Sequence, residues 1–301
     1  QALEEKASEY EDELKRKSLM EQQSIIIFNN ADTESFALPL AMVGRVEKID
    51  TANIDLVGEK EFIQLRDESV SLVRLENYMK VKAGNRDQKE LFVIIPKSAK
   101  YPVGIIATKI VDVIETSLSI NTESIGGPGL LGSCIINKRM ILMLELYAIL
   151  EMAAPEKFKE TREKVDDVKD EGYKVLLVED TPFFRTLANN FFKTAGFEVT
   201  LTCDGQEGLD VLNNKNPDYF DVVVSDIEMP VMNGYELCHN IKASEKLNHL
   251  PVMALTALTS SESHKKGTEA GFDAYEVKID KEKLIGKVHD LIRWSKQGAA
   301  K

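Results

Sequence analysis

Between Gln22 and Leu150 short apolar runs alternate with polar turns. The runs are Ile25–Phe28, Phe36–Leu40, Phe62–Leu65, Val70–Leu75, Leu91–Ile95, Val103–Ile106, Cys134–Ile136 and Ile141–Leu144. They are rich in Val, Ile and Phe and are strand-length, so the pattern predicts strands. Many short strands at close spacing predict a barrel or a sandwich, and closing a barrel removes exposed strand edges. Pro39 has no N–H to give a ladder, which predicts a bulge or an edge position in its run. From Tyr173 the pattern changes. Strands are predicted at Lys174–Val178, Phe197–Cys203, Asp221–Ser225, Val252–Leu255 and Ala274–Val277. Helices are predicted at Pro182–Ala195, closed by Gly196, and at Gly205–Asn214, Gly234–Ala243, Ser261–Ala270 and Lys281–Trp294. Continuous apolar strands alternating with helices predict a parallel sheet covered on both faces.

Two charged stretches punctuate this pattern. Gln1–Met20 is dense in Glu, Lys and Arg, and Glu11 with Lys15 could support a surface helix at i,i+4 spacing. In Pro155–Gly172, 12 of 18 residues are Asp, Glu, Lys or Arg, which predicts a linker without a core face. The expected organisation is a charged helical linker over 1–21, an all-β domain over 22–152, a charged interdomain linker over 153–172 and an α/β domain over 173–301.

Composition narrows the function classes. The 301 residues suit two domains, and 43% hydrophobic content supports packed cores. A net charge of −12 argues against nucleic acid or anionic lipid as a bulk partner, because both need a basic face. No apolar run reaches the ~18 residues of a membrane span. Cys134, Cys203 and Cys238 stand far apart with no CxxC, which excludes a zinc finger and a disulfide framework and fits a reducing cytoplasm. The first residue is Gln, which reads as a fragment or a processed chain.

The chemistry gathers in the second half. In a doubly wound sheet, ligands collect at the carboxyl ends of the strands. Glu179 and Asp180 follow the first predicted strand, Asp226 the third, Thr256 the fourth, and Lys278 the fifth. Three facing carboxylates repel one another unless a cation sits among them, and oxygen donors suit Mg²⁺. A carboxylate beside a metal, a Thr and a Lys makes a phosphoryl acceptor site. Glu207, Asp210 and Asp218 read as ordinary surface charges. Phe183, Phe184, Phe191 and Phe192 have helical core spacing.

Glu179-Asp180, Asp226 within SDIEMPVMNG, Thr256-Ala257 and Lys278 resemble the response-regulator receiver family over roughly Lys174–Trp294. The resemblance implies a flavodoxin-like (βα)5 fold and phosphorylation of Asp226 from a phosphohistidine donor. It implies Mg²⁺ held by Glu179, Asp180, Asp226 and the Glu228 backbone carbonyl, with Thr256 and Lys278 contacting the phosphoryl group. It also implies that Thr256 and Tyr275 act as the switch pair, and that positions 228 and 258 (Glu228, Leu258) tune hydrolysis. Ile279 departs from the family's Pro after the Lys, which bears on the shape of that loop.

The front half has no His and no such cluster. Gly126–Gly132 lacks GK[ST] and precedes a strand, so it reads as a turn. Phe36–Leu40, Arg45-Val46-Glu47, Val70–Leu75, Val103-Gly104 and Val111–Glu115 are similar to segments of the CheW-like family, and Pro128–Ile136 with Met140–Leu144 to its closing hairpin. The family is a double β-barrel adaptor that docks chemoreceptors to a CheA-type kinase. The resemblance implies chemotaxis signalling in the cytoplasm. The implied partners are chemoreceptor tips, other CheW-like domains and a histidine kinase phosphotransfer domain, with no nucleic acid and no membrane insertion. The pair of domains resembles the C-terminal part of a hybrid CheA-type histidine kinase; a CheV-type adaptor and a phosphate-sink receiver are the alternatives. The chain holds no ATP-binding glycine boxes, so no kinase catalytic site is expected in it. Slow acyl-phosphate hydrolysis at Asp226 is.

Overall fold

The computed structural model describes residues 22–85, 87–97, 99, 101–123, 125–158, 172–256, 270–277 and 281–298. The expected linker over 1–21 lies outside the described residues, as does 159–171 of the second linker. The chain divides into two compact units, Gln1–Lys159 and Glu160–Lys301.

Among the described residues the first unit has eleven strands in two sheets. The strands are β1 (Gln22–Ala31), β2 (Glu34–Pro39), β3 (Val43–Asp50), β4 (Ile54–Val57), β5 (Lys60–Leu65), β6 (Glu68–Val73), β7 (Glu90–Pro96), β8 (Val103–Ala107), β9 (Lys109–Ser117), β10 (Leu130–Ile136) and β11 (Arg139–Leu144). One sheet has the order β10-β11-β2-β1-β9 and the other β3-β7-β8-β6-β5-β4. The apolar runs form the interior: Ile25–Phe28 and Phe36–Leu38 are buried, and Phe28 lies opposite Phe36. Parallel pairing of β11 with β2 brings the last strand beside the second. Asn137 and Lys138, both at positive φ, make the two-residue turn from β10 to β11 that matches strand twist.

Three strands run where no apolar run marks them. Strand β3 buries only Ile49, while β4 and β9 bury no residue fully. Pro39 sits at neither a bulge nor a sheet edge. It ends β2, an interior strand, in register with Ile25 of β1 and beyond the last residue that pairs with β11. The glycine-rich stretch turns at Pro128-Gly129 and then enters β10, and Gly132 has a packing reason. At φ +153 it sits at an irregularity of the β10–β11 register, where a Cβ would lie 2.5 Å from the Asn121 carbonyl oxygen. Helix α1 (Leu146–Ala153) closes the unit by burying Leu146, Ile149 and Leu150. Tyr101 donates to the Leu150 carbonyl at 3.1 Å, and burial pushes its hydroxyl pKa up to about 12. Phe158 of the charged stretch is also buried, while Pro155–Lys157 before it are exposed.

The second unit is an all-parallel sheet of five strands: β12 (Lys174–Val178), β13 (Glu198–Thr202), β14 (Val222–Asp226), β15 (Val252–Thr256) and β16 (Ala274–Val277), in the order β13-β12-β14-β15-β16. The described helices are α2 (Pro182–Thr194), α3 (Gly205–Asn213), α4 (Gly234–Ala243) and α5 (Lys281–Gly298). All four Phe of α2 are buried, and Gly196 at φ +87 ends the helix as expected. The expected helix Ser261–Ala270 falls outside the described residues except for Ala270. Strand β16 is an edge. Its Glu276 is buried and pairs with Lys287 of α5 at 3.0 Å.

Candidate functional site

The register of the parallel sheet assembles the site. Val178 pairs with Ser225, so Glu179 comes abreast of Asp226, the last residue of β14. Asp226 pairs with Leu255, so Thr256 ends the neighbouring strand one residue further on. Glu179, Asp180 and Asp226 each offer a carboxylate oxygen within 4.8 Å of the others. Glu179 is 0% exposed and Asp226 5%, while Asp180 is half-buried. Buried carboxylates this close repel one another, and their oxygens are the hard donors a divalent cation takes. The donor set fits such an ion.

Local bonds hold each carboxylate. The Ile227 N–H donates to Asp226 Oδ1 at 2.6 Å, which fixes the rotation of that carboxylate. The Thr181 N–H donates to Glu179 Oε1 at 3.2 Å, and the Thr181 hydroxyl donates to Asp180 Oδ1 at 3.3 Å. Asp180 is therefore not the cap of α2; Thr181 holds that position, with no side-chain capping bond. Arg185 Nη1 donates to the backbone carbonyls of both Glu179 (2.6 Å) and Asp180 (2.8 Å). The sequence reading missed this residue. Its signal was a basic side chain in the first turns of a helix, against the macrodipole.

The loop after Asp226 is closely packed. Gly234 opens α4 with its backbone against the acceptor, where a Cβ would lie 2.1 Å from the Asp226 carbonyl oxygen. Its N–H donates to the Ile227 carbonyl at 2.9 Å. Asn233 and Glu236 form a reciprocal capping box at 2.9 and 3.0 Å. Within the loop Val231 has φ +66 and is 76% exposed, a strained conformation for a β-branched residue. Glu228, expected as a backbone ligand, is exposed on this loop. Glu207 is more than a surface charge: its Oε2 accepts from the Cys203 N–H at 2.7 Å at the start of α3.

Tyr275, on β16, is half-buried and meets Phe272 edge to face at 5.5 Å. Burial raises its hydroxyl pKa above the ordinary value. Lys278, Ala257, Leu258 and Ile279 lie outside the described residues. Burial also holds the thiols of Cys134 and Cys203 up at about 11 and that of Cys238 at about 12, so no cysteine offers a thiolate nucleophile near neutral pH.

Comparison with known proteins agrees with both halves. Residues 24–154 match the CheW-like domain model, and residues 175–289 the response regulator receiver domain model. The sensor histidine kinase CheAY of Helicobacter pylori is 29% identical over 259 residues, covering 81% of this chain and 31% of that protein. The chemotaxis protein CheV3 of the same species is 29% identical over 185 residues, 58% of this chain and 57% of that protein. The chemotaxis protein CheY-3 of Vibrio cholerae is 35% identical over 114 residues, 38% of this chain and 86% of that protein. The chain thus spans about a third of CheAY and a little over half of CheV3.

Proposed function

Because the chain belongs to the response-regulator receiver family and carries a CheW-like domain ahead of its receiver, we propose that it is a phosphorylation-controlled docking unit of a chemotaxis pathway. The observation that carries this reading is the gathering of Glu179, Asp180 and Asp226 within 4.8 Å at the strand ends of the parallel sheet. Asp226 is the phosphoacceptor. One carboxylate oxygen attacks the phosphorus of a phosphohistidine on a kinase phosphotransfer domain. The P–O bond forms as the P–N bond breaks, and the imidazole leaves with the electron pair and takes up a proton.

Glu179, Asp180 and Asp226, with the Glu228 backbone carbonyl, would hold Mg²⁺, which when bound neutralises charge on the transferring oxygens. Thr256 donates its hydroxyl to a phosphoryl oxygen, and the Lys278 ammonium pairs with another. The Ile227 N–H keeps the acceptor carboxylate in one orientation, so little reorganisation accompanies attack. Tyr275 then turns with Thr256 and changes the face formed by β16 and α5, a local charge event biasing a two-state surface. The working division is a docking domain over 22–152, which engages receptor tips and other CheW-like domains, and a phosphoacceptor domain over 173–301.

The match to CheAY covers 81% of this chain and supports reading it as part of a hybrid CheA-type kinase. No helix among the described residues is long and apolar enough to cross a membrane. The match to CheV3 supports a coupling adaptor as the second reading. Incubating the chain with acetyl phosphate and Mg²⁺ should add one acid-labile phosphate, and Asp226→Asn should take up none. Parental labelling of that variant would overturn the assignment.

A further inference from the structure

We propose that Arg185 is a positioning residue for the acid cluster: it locks the turn that brings the Glu179 and Asp180 carboxylates to the same point as Asp226. The inference rests on the reading of those three residues as a divalent-cation site. In a continuing strand, successive carbonyls and successive side chains point to opposite sides. Here a single nitrogen, Arg185 Nη1, receives two successive carbonyls, Glu179 at 2.6 Å and Asp180 at 2.8 Å. Only a turned backbone can present both. The same turn lets the Glu179 carboxylate accept from Thr181 N–H, and it brings the two carboxylates together rather than apart.

Two observations argue that this contact is selected rather than incidental. Arg185 is the fourth residue of α2, where the helix dipole disfavours a cation. The helix also lacks the usual side-chain cap, since Thr181 makes none. Hydrogen bonds from a charged donor are among the stronger ones in proteins, and two of them offset the dipole penalty.

The sign of the effect separates positioning from charge. A guanidinium near a cation site repels the cation, so through charge alone its removal would tighten Mg²⁺ binding. If Arg185 holds the ligands in place, its removal weakens binding instead. The test is Mg²⁺ titration of the full chain by calorimetry. Arg185→Gln should raise the Mg²⁺ Kd about tenfold. Arg185→Lys keeps the charge but reaches one atom less and cannot hold both carbonyls, and it should raise the Kd about threefold. Phosphate uptake from acetyl phosphate should recover to near the parental rate at saturating Mg²⁺ in both, since the acceptor is untouched. A Kd that is unchanged or lower in Arg185→Gln, together with an unchanged Kd in Arg185→Lys, overturns the proposal. Should the Gln variant fail to fold, the Lys variant decides alone. Asp180→Ala is the control. If it binds Mg²⁺ as the parent does, the cation site itself is wrong; if it loses Mg²⁺ while both Arg185 variants keep it, only the role of Arg185 falls.

Discussion

Two clusters, one in each unit, handle buried charge in opposite ways. In the first, Arg74 is buried and meets Glu61 through two bonds, Nε to Oε2 at 2.6 Å and Nη2 to Oε1 at 3.0 Å. Each charge is cancelled by a planar partner, and the pair ties the residue just after β6 to the neighbouring β5. In the second, three groups of the same sign converge at 4.8 Å or less. A cancelled pair does structural work and is silent toward ligands. A gathering of like charge costs stability and keeps its attraction for a cation. The difference separates architecture from chemistry without reference to fold.

The contrast can be broken by removing one charge from each unit. Arg74→Ala leaves Glu61 half-buried and unpaired, so it should cost about 3 kcal/mol, read as a lower urea midpoint. The low end of the buried-pair range is apt because Glu61 keeps some contact with water. A loss under ~1 kcal/mol would place that pair with ordinary surface bridges. Asp180→Ala should behave in reverse. Without Mg²⁺ its thermal midpoint should equal or exceed the parent's, while Mg²⁺ affinity falls at least tenfold, since about 1.4 kcal/mol is a factor of ten. A clear destabilisation in that variant would mean that Asp180 serves the fold.

The smallest stability effect is expected where the first unit exposes apolar surface. Leu56 is 72% exposed and Val57 66% on β4, an edge strand. Replacing both with Ser should change stability by less than about 0.5 kcal/mol. If the docking reading is right, the same change weakens retention on receptor–kinase arrays in a pull-down. Equal retention would direct the search to Ile135 and Met140, an exposed pair facing each other across β10 and β11.

What the sequence disclosed followed this division. The five strands and the described helices of the second unit were legible because fully buried parallel strands read as continuous apolar runs, as Val222–Val224 does. Glu179, Asp180, Asp226 and Thr256 were legible because chemistry follows strand ends. Strand β3 was not, because Arg45 and Glu47 occupy its half-buried positions and Val46 is exposed, an inversion of the expected alternation. Helix α1 carries the i, i+3, i+4 signal at Leu146, Ile149 and Leu150, overshadowed by the strand just before it. Gly234 reads in sequence as the start of a helix, but the demand for Gly there comes from the Asp226 carbonyl, a tertiary fact. Arg185 was hidden for the same reason: its partners are backbone atoms, which every residue has.

The edge of the parallel sheet has a consequence for solubility. An open strand offers a row of unpaired N–H and C=O groups to any passing chain, the usual seed of fibrils and swapped dimers. Strand β16 is four residues long, and it carries a carboxylate turned inward at Glu276, tethered to α5 by Lys287. A strand arriving to extend the sheet would find little ladder to copy and an inward charge in its way. This edge of the sheet is thereby a poor template for growth into a polymer.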